Sequence, residues 1–139
     1  MDLASFDKDY GYVALVGTGS ALLNTYFAIR VVRARTQYGV KAPDVYSDTQ
    51  PAFNCVQRVH QNTLEMYPQF LMTLFVGGLQ YPRLSALGGA IYLAGRMAYS
   101  YGYNSGDPSK RSYGEFGGIG ALIMLGCTAS FGLKVLGII

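Results

Sequence analysis

The stretch YGYVALVGTGSALLNTYFAI, residues 10–29, contains no charged side chain. A transmembrane α-helix needs about 20 predominantly apolar residues, so this stretch predicts a helix that crosses a membrane. The residues before it, with Asp2, Asp7 and Asp9 around a single Lys8, lack the basic start of a removable signal peptide. We therefore expect this helix to stay in the protein.

Three further stretches have the length and apolar content of a membrane span. They cover about residues 53–79, 84–103 and 114–138, and the first span extends to about residue 35. Of all residues, 50% are hydrophobic and only 14% are charged, whereas a typical soluble domain has about a quarter charged residues. The sequence therefore predicts one all-α domain, residues 1–139, folded as an integral membrane bundle of four transmembrane helices.

Short polar connections separate these spans, and Pro82 marks a tight turn between the second and the third. Lys8, Arg83 and Lys134 lie on one side of the predicted membrane. Six basic residues lie at the first and third connections on the other side: Arg30, Arg33, Arg35, Lys41, Lys110 and Arg111. Because basic loops face the cytosol, we expect both of these connections in the cytosol and both termini in the lumen.

The cysteines and the histidine indicate no metal site. Cys55 and Cys127 each lie alone in an apolar stretch, which fits neither a disulfide framework nor a zinc pattern. His60 is the single histidine, which argues against a metal site built from several histidines. We expect the two cysteines to be small buried or lipid-facing residues, and we expect no metal.

The second span begins with a polar segment, FNCVQRVHQNTLEMYP, residues 53–68. Arg58, Asn62 and Glu65 are spaced i, i+4 and i+7, and they therefore share one helical face. Charged groups at membrane depth cost several kcal/mol each and usually face a bundle interior or a water-filled cavity. The segment predicts a polar pocket near the cytosolic end of this span.

The third span carries a matching stripe, since Arg96, Tyr99 and Tyr103 are spaced i, i+3 and i+7. We expect Arg96 to pair with Glu65, because neither would stay charged alone in a bilayer. Arg35, Lys110 and Arg111 reach the same edge from the first span and the third connection.

These residues suit a small zwitterion with excess negative charge, because guanidinium groups bind carboxylates and a glutamate binds an ammonium group. Glutathione, with two carboxylates, an ammonium and a thiol, is one such ligand. Sugar phosphates and acidic peptides fit the same residues. A buried ion-pair cluster that only fixes the helix register is the structural alternative.

Two long motifs resemble a known family. FNCVQRVHQNTLEMYPQF, residues 53–70, and GR-x-x-Y-x-x-GY-x-x-GDPSKR, residues 95–111, resemble the membrane-associated proteins in eicosanoid and glutathione metabolism, the MAPEG family. Within that family, residues 8–21 look closest to the type-3 microsomal glutathione transferases. The resemblance covers nearly the whole chain. It implies a homotrimer with glutathione between adjacent subunits, in the endoplasmic reticulum, with the outer mitochondrial membrane as the alternative.

The resemblance also implies roles for single residues. Arg58, Asn62 and Glu65 match the motif that holds glutathione in the family, and Arg96 matches the arginine paired with the motif glutamate. Arg111 is our choice for the catalytic arginine that stabilises the glutathione thiolate, with Lys110 second. The implied glutathione-binding residues beyond the motif are Arg35, His60, Arg96, Tyr99, Tyr103 and Lys110.

The expected function is that of a membrane-bound glutathione transferase with glutathione-dependent peroxidase activity. Its substrates would be lipophilic electrophiles and lipid hydroperoxides, with glutathione as co-substrate. We expect membrane lipids as partners and no nucleic acid. The alternative is a non-catalytic adaptor of the same fold, or an accessory subunit of a larger membrane complex. A small transporter has little support, because the charges cluster at one membrane edge and not at the midplane.

Overall fold

A computed structural model describes residues 7–139, and all regular secondary structure in this part of the chain is helical. The all-α class is thereby confirmed for these residues, whereas Asp2 and the rest of residues 1–6 of the predicted domain lie outside them. A short 3-10 helix, Pro108–Gly114, precedes the last α-helix. The four α-helices are α1 (Tyr10–Tyr38), α2 (Pro51–Gln80), α3 (Pro82–Tyr103) and α4 (Gly117–Val135).

Local sequence explains most of the helix ends. Pro51 and Pro82 open α2 and α3 at the first helical position, where a missing N–H removes no hydrogen bond. Tyr81 alone separates these two helices. Gly39 ends α1 with a φ of 69°, the left-handed conformation that glycine adopts without steric cost. The predicted tight turn at Pro82 is therefore confirmed.

Two of the four helices, α1 and α4, are long and apolar enough to cross a membrane by length and composition. Few of the residues in their apolar windows are buried, 22% in α1 and 17% in α4, so most of this surface faces outward. The two helices fit membrane association. The polar segment lowers the hydropathy of α2, and the prediction of four membrane spans stays a prediction.

Glycines allow the closest approach between helices. A Cβ atom on Gly120 of α4 would overlap the carbonyl oxygen of Gly88 in α3, and one on Gly95 of α3 would overlap Gly117 of α4. Small residues that let backbones touch are typical of helix contacts in membranes. The α3–α4 contact is therefore a contact of backbone against backbone.

The interior is small and the outer surface is apolar. A core cluster draws on all four helices, with Val13 from α1, Leu74 from α2 and Met124 from α4 each at most 1% exposed. In contrast, Leu15 and Leu122 are each 69% exposed, and many other large apolar side chains also point outward. Such a surface is unusual for a soluble monomer and suits contact with lipid or with other subunits.

Hydroxyl groups tie the helices together inside this small core. The Ser85 hydroxyl donates to the Leu74 carbonyl at 2.8 Å, and the Thr128 hydroxyl donates to the Thr73 carbonyl at 3.0 Å. The hydroxyls of Ser20 in α1 and Tyr67 in α2 lie 2.9 Å apart. These bonds join α1, α3 and α4 to α2.

Candidate functional site

An ion pair occupies the predicted polar face of α2. Arg58 Nη1 lies 3.2 Å from Glu65 Oε1, and Arg58 Nη2 lies 3.4 Å from Glu65 Oε2. Both side chains remain partly exposed, at 39% and 46%. The expected pair between Glu65 and Arg96 is not formed in this chain. Arg58 replaces Arg96 in it because residues seven apart lie on the same helical face, two turns from each other.

Arg96 of α3 instead bonds to a threonine of α2. Its Nη2 and Nε donate to the Thr63 hydroxyl oxygen at 2.9 and 3.2 Å. Its guanidinium carbon lies 4.1 Å from the centroid of the Tyr99 ring, within the range of a cation–π contact. Thr63 is buried and donates in turn to the Val59 carbonyl at 2.7 Å. Thr63 was not among the predicted site residues, although it lies within the polar segment.

Tyr99 is the point where the α2 motif and the α3 stripe meet. Arg58, Arg96 and Tyr103 all interact electrostatically with its hydroxyl group. The rings of Tyr99 and Tyr103 also contact each other, with centroids 5.1 Å apart. The structure therefore brings together residues that the sequence places on two separate spans.

Arg111 lines a small cavity of about 260 Å³ together with residues of this group. The cavity lies between α3, the 3-10 helix and the start of α4, and Arg96, Tyr99 and Arg111 all line it together with Tyr92 and Glu115. Among the described residues, Arg111 forms no salt bridge. Its side chain is therefore a cation at the cavity wall that no carboxylate neutralises by direct pairing.

Close packing positions the 3-10 helix that carries Arg111. A Cβ atom on Gly102 of α3 would overlap the Lys110 carbonyl, and one on Gly114 would overlap the Gly95 carbonyl and Tyr99. The polar connection predicted between the third and fourth spans therefore contains a 3-10 helix, Pro108–Gly114. The Asp107 carboxylate begins it by accepting from the Ser109 N–H at 3.0 Å.

Hydrogen bonds from Ser109 also hold the pKa of Asp107 below its usual value, and the nearby Lys110 charge adds to this effect. Asp107 therefore stays ionised and keeps its capping bond at neutral pH.

Three further predicted site residues do not line the Arg111 cavity. Arg35 Nη1 donates to the Asp44 carbonyl at 2.7 Å, and its guanidinium lies 5.3 Å from the Phe53 ring centroid. Lys110 lines a separate cavity of about 430 Å³. His60 is half-buried, and within the described residues its Nδ1 atom has no hydrogen-bond partner. Their roles toward a ligand stay predictions.

An apolar groove adjoins the Arg111 cavity. It lies between α2 and α4, has a volume of about 330 Å³, and shares Tyr92 with the cavity. Its other walls include Met66, Phe70 and Met124.

Asn62, the remaining residue of the predicted motif, is half-buried on α2. Within residues 7–139 no three His, Cys, Asp or Glu side chains are grouped to hold a metal ion.

These features define a class: an all-helical protein with an apolar outer surface, and a cluster of arginines and tyrosines beside an apolar groove. Comparison with known families identifies the class further. The MAPEG family model matches residues 13–131, which is most of the chain, and the protein belongs to this family. The resemblance drawn from the two sequence motifs is confirmed.

Several curated relatives cover most of the chain. It is similar to microsomal glutathione S-transferase 2 of Homo sapiens, with 34% identity over 87% of this chain and 81% of the relative. The same enzyme of Mus musculus is 32% identical over 90% of this chain and 84% of the relative. Leukotriene C4 synthase of Cavia porcellus is 38% identical over 66% of this chain and 62% of the relative.

Proposed function

We propose that the protein is a membrane-bound glutathione transferase that also reduces lipid hydroperoxides with glutathione. Membership of the MAPEG family and similarity to proteins named microsomal glutathione S-transferase 2 and leukotriene C4 synthase support a glutathione-using enzyme. The observation that carries the proposal is the cavity where Arg96, Tyr99 and Arg111 meet. Hydrogen bonds from Arg96 to Thr63 tie this cavity to α2, the helix that carries the Arg58–Glu65 pair.

Glutathione binding would use charge complementarity. Arg58 and Arg96 offer guanidinium groups to the two carboxylates, and Glu65 offers a carboxylate to the ammonium group. The partial exposure of the Arg58–Glu65 pair leaves both partners accessible to a ligand. Asn62 and the phenol groups of Tyr99 and Tyr103 would complete the polar contacts.

Arg111 would supply the catalytic charge. A guanidinium group beside the glutathione sulfur lowers the pKa of the thiol, which loses its proton to water and becomes a nucleophilic thiolate. In transfer, the thiolate forms a carbon–sulfur bond while the leaving group departs with its electron pair. In peroxide reduction, the thiolate attacks the terminal oxygen and breaks the O–O bond, which gives a sulfenic acid and an alkoxide that takes a proton from water to become an alcohol. A second glutathione then converts the sulfenic acid into a disulfide and water.

The lipophilic substrate would approach along the apolar groove between α2 and α4. This groove reaches the Arg111 cavity at Tyr92, so an apolar substrate could place its reactive end beside the sulfur.

In this proposal all four helices span the membrane, and the two basic connections lie on its cytosolic side. The endoplasmic reticulum is the proposed location, and the outer mitochondrial membrane is the alternative.

We further propose a homotrimer with glutathione between adjacent subunits. In its own chain Arg35 contacts Asp44 and Phe53, and His60 does not line the Arg111 cavity. A neighbouring copy could supply both side chains to the same ligand. The apolar outer surface of the chain supports this arrangement, because such a surface suits contact with other subunits.

A non-catalytic adaptor or accessory subunit is the second candidate. The Arg58–Glu65 pair favours it in one respect, because these two residues already satisfy each other without a ligand. Arg111 favours the enzyme, because its charge forms no salt bridge in the described chain and lies in the wall of the cavity that Arg96 and Tyr99 also line.

The test uses the full-length protein purified in detergent. Its melting temperature is measured with and without glutathione, and turnover is measured with an aryl halide electrophile and with an organic hydroperoxide. Stabilisation together with turnover is the expected result. Stabilisation without any turnover would support the adaptor, and the absence of stabilisation by glutathione would remove the basis of the proposal.

A further inference from the structure

A second apolar groove lies on the opposite side of α3 from the candidate site. It runs between α1 and α3 with a volume of about 630 Å³, and it is the largest of the described cavities. Its walls are mainly apolar, with Leu22, Phe27, Leu93 and Met97 among them, and Arg30 lies in its lining. It shares no lining residue with the Arg111 cavity or with the α2–α4 groove.

This groove opens into a polar cavity of about 430 Å³, since Arg30 and Tyr101 line both. Lys110 brings a second cation to the polar cavity, and Asn104 and Ser105 bring an amide and a hydroxyl group. In the described part of the chain, neither Arg30 nor Lys110 forms a salt bridge. Asp107 is the acidic group that interacts with Lys110, and it is engaged by Ser109.

The two cavities together have an apolar part and a cationic part. The cationic part lies at the edge of the molecule that carries the basic connections, where anionic lipids of the cytosolic leaflet would face it. Tyr101 and Tyr113 of its lining are 78% and 51% exposed, as expected of tyrosines at a membrane interface. The polar cavity has more room than a single carboxylate needs.

We propose that these two cavities bind one anionic phospholipid. One acyl chain would lie in the α1–α3 groove, and the phosphate would lie between Arg30 and Lys110. Arginine and lysine both bind phosphate, the first through paired N–H groups and the second as a point charge. This site is additional to the proposed glutathione site and does not depend on it.

The experiment is native mass spectrometry of the full-length protein, released from detergent in its purified oligomeric state. Phosphatidylglycerol, phosphatidylcholine and oleate are added separately and their binding per subunit is compared. We expect phosphatidylglycerol to bind more tightly than either of the others. Equal binding of phosphatidylcholine would overturn the role of the cations, and equal binding of oleate would overturn the assignment of a phosphate.

Two variants test the location. Arg30→Gln should weaken binding of phosphatidylglycerol about fivefold, the contribution of one basic residue at an anionic membrane surface. Gly19→Leu should block the groove, because Gly19 lines it and a Cβ there touches only Leu93 at 4.0 Å. Gly126→Leu is the matched control, since a Cβ at Gly126 meets nothing within 4 Å.

Weaker binding in Arg30→Gln and Gly19→Leu but not in Gly126→Leu would support the site. Unchanged binding in either of the first two variants would overturn it. The absence of any phospholipid bound to the wild-type oligomer would also overturn it, because a neighbouring subunit would then cover the groove.

Discussion

The guanidinium group of Arg96 donates two hydrogen bonds to the hydroxyl oxygen of Thr63, which lies 2.9 Å from Nη2 and 3.2 Å from Nε. A neutral hydroxyl fixes the side chain without cancelling its charge, unlike a carboxylate. Arg96 is thus held against Tyr99 with its positive charge still available to a ligand. The contact also links α2 to α3 at the height of the candidate site.

Removal of this hydroxyl should weaken glutathione binding. Thr63→Val keeps the side-chain shape but loses the acceptor, and hydrogen bonds to charged groups contribute about 1.5–3 kcal/mol. We expect glutathione affinity, measured by calorimetry, to fall about tenfold or more. Thr63→Ser keeps the hydroxyl and should bind nearly as the wild type does. A Thr63→Val protein with unchanged affinity would show that Arg96 does not contact glutathione.

Arg111 and Lys110 can be separated by substitution. Arg111→Ala should lower turnover about a hundredfold, as the loss of one stabilising group at a developing charge does, and leave glutathione affinity largely unchanged. The ultraviolet absorbance of the bound thiolate should disappear with it. Lys110→Ala should keep this absorbance, because Lys110 lines the other cavity. If Lys110→Ala lost the thiolate signal and Arg111→Ala kept it, the catalytic assignment would pass to Lys110.

The backbone contact at Gly102 should be needed for activity. Gly102→Ala places a Cβ against the Lys110 carbonyl, so the 3-10 helix must shift and move Arg111. Overpacking of this kind costs about 1–3 kcal/mol. We expect a lower melting temperature and reduced turnover with helical circular dichroism retained. Gly126→Ala adds the same methyl group in open space and should change neither property.

Mixed oligomers test whether adjacent subunits share a site. Arg35→Ala and Arg111→Ala are each expected to be nearly inactive alone. If Arg35 comes from the neighbouring subunit, each mixed trimer has one of its three sites intact, so mixed trimers should show about a third of the wild-type activity. The measurement is turnover after co-expression with two affinity tags and tandem purification. Activity that stays at the level of the single variants would place both arginines in the same subunit's site.

The fold could largely be predicted from the sequence because its signals are local. Apolar runs located the helices, and the predicted ends differ from the structure by at most three residues. Pro82 located the α2–α3 turn because a proline suits the first position of a helix. The polar residues of the candidate site in α2 also lower its hydropathy, and this weakens the signal for a membrane span there.

The site was only partly predictable. Spacing identified the faces with Arg58 and Glu65, but it could not choose which arginine pairs with Glu65, because that depends on how α2 and α3 are rotated about their axes. Thr63 gave no signal, since threonines are common in helices without such a role. Arg111 and Lys110 line different cavities because both lie on the 3-10 helix. Turn-forming residues such as Gly106 and Pro108 do not indicate that this helix forms.

The glycine contacts between α3 and α4 also determine which positions can accept substitutions during evolution. At Gly88, Gly95 and Gly120 the next backbone occupies the space of a side chain, so even alanine requires a helix to move. Leu15 and Leu122 face outward, where exchange among aliphatic residues disturbs no packed neighbour. Among natural variants, the large outward-facing apolar residues should therefore vary and the glycines should stay the same. In the core of a water-soluble protein, the large apolar residues are the ones that stay the same.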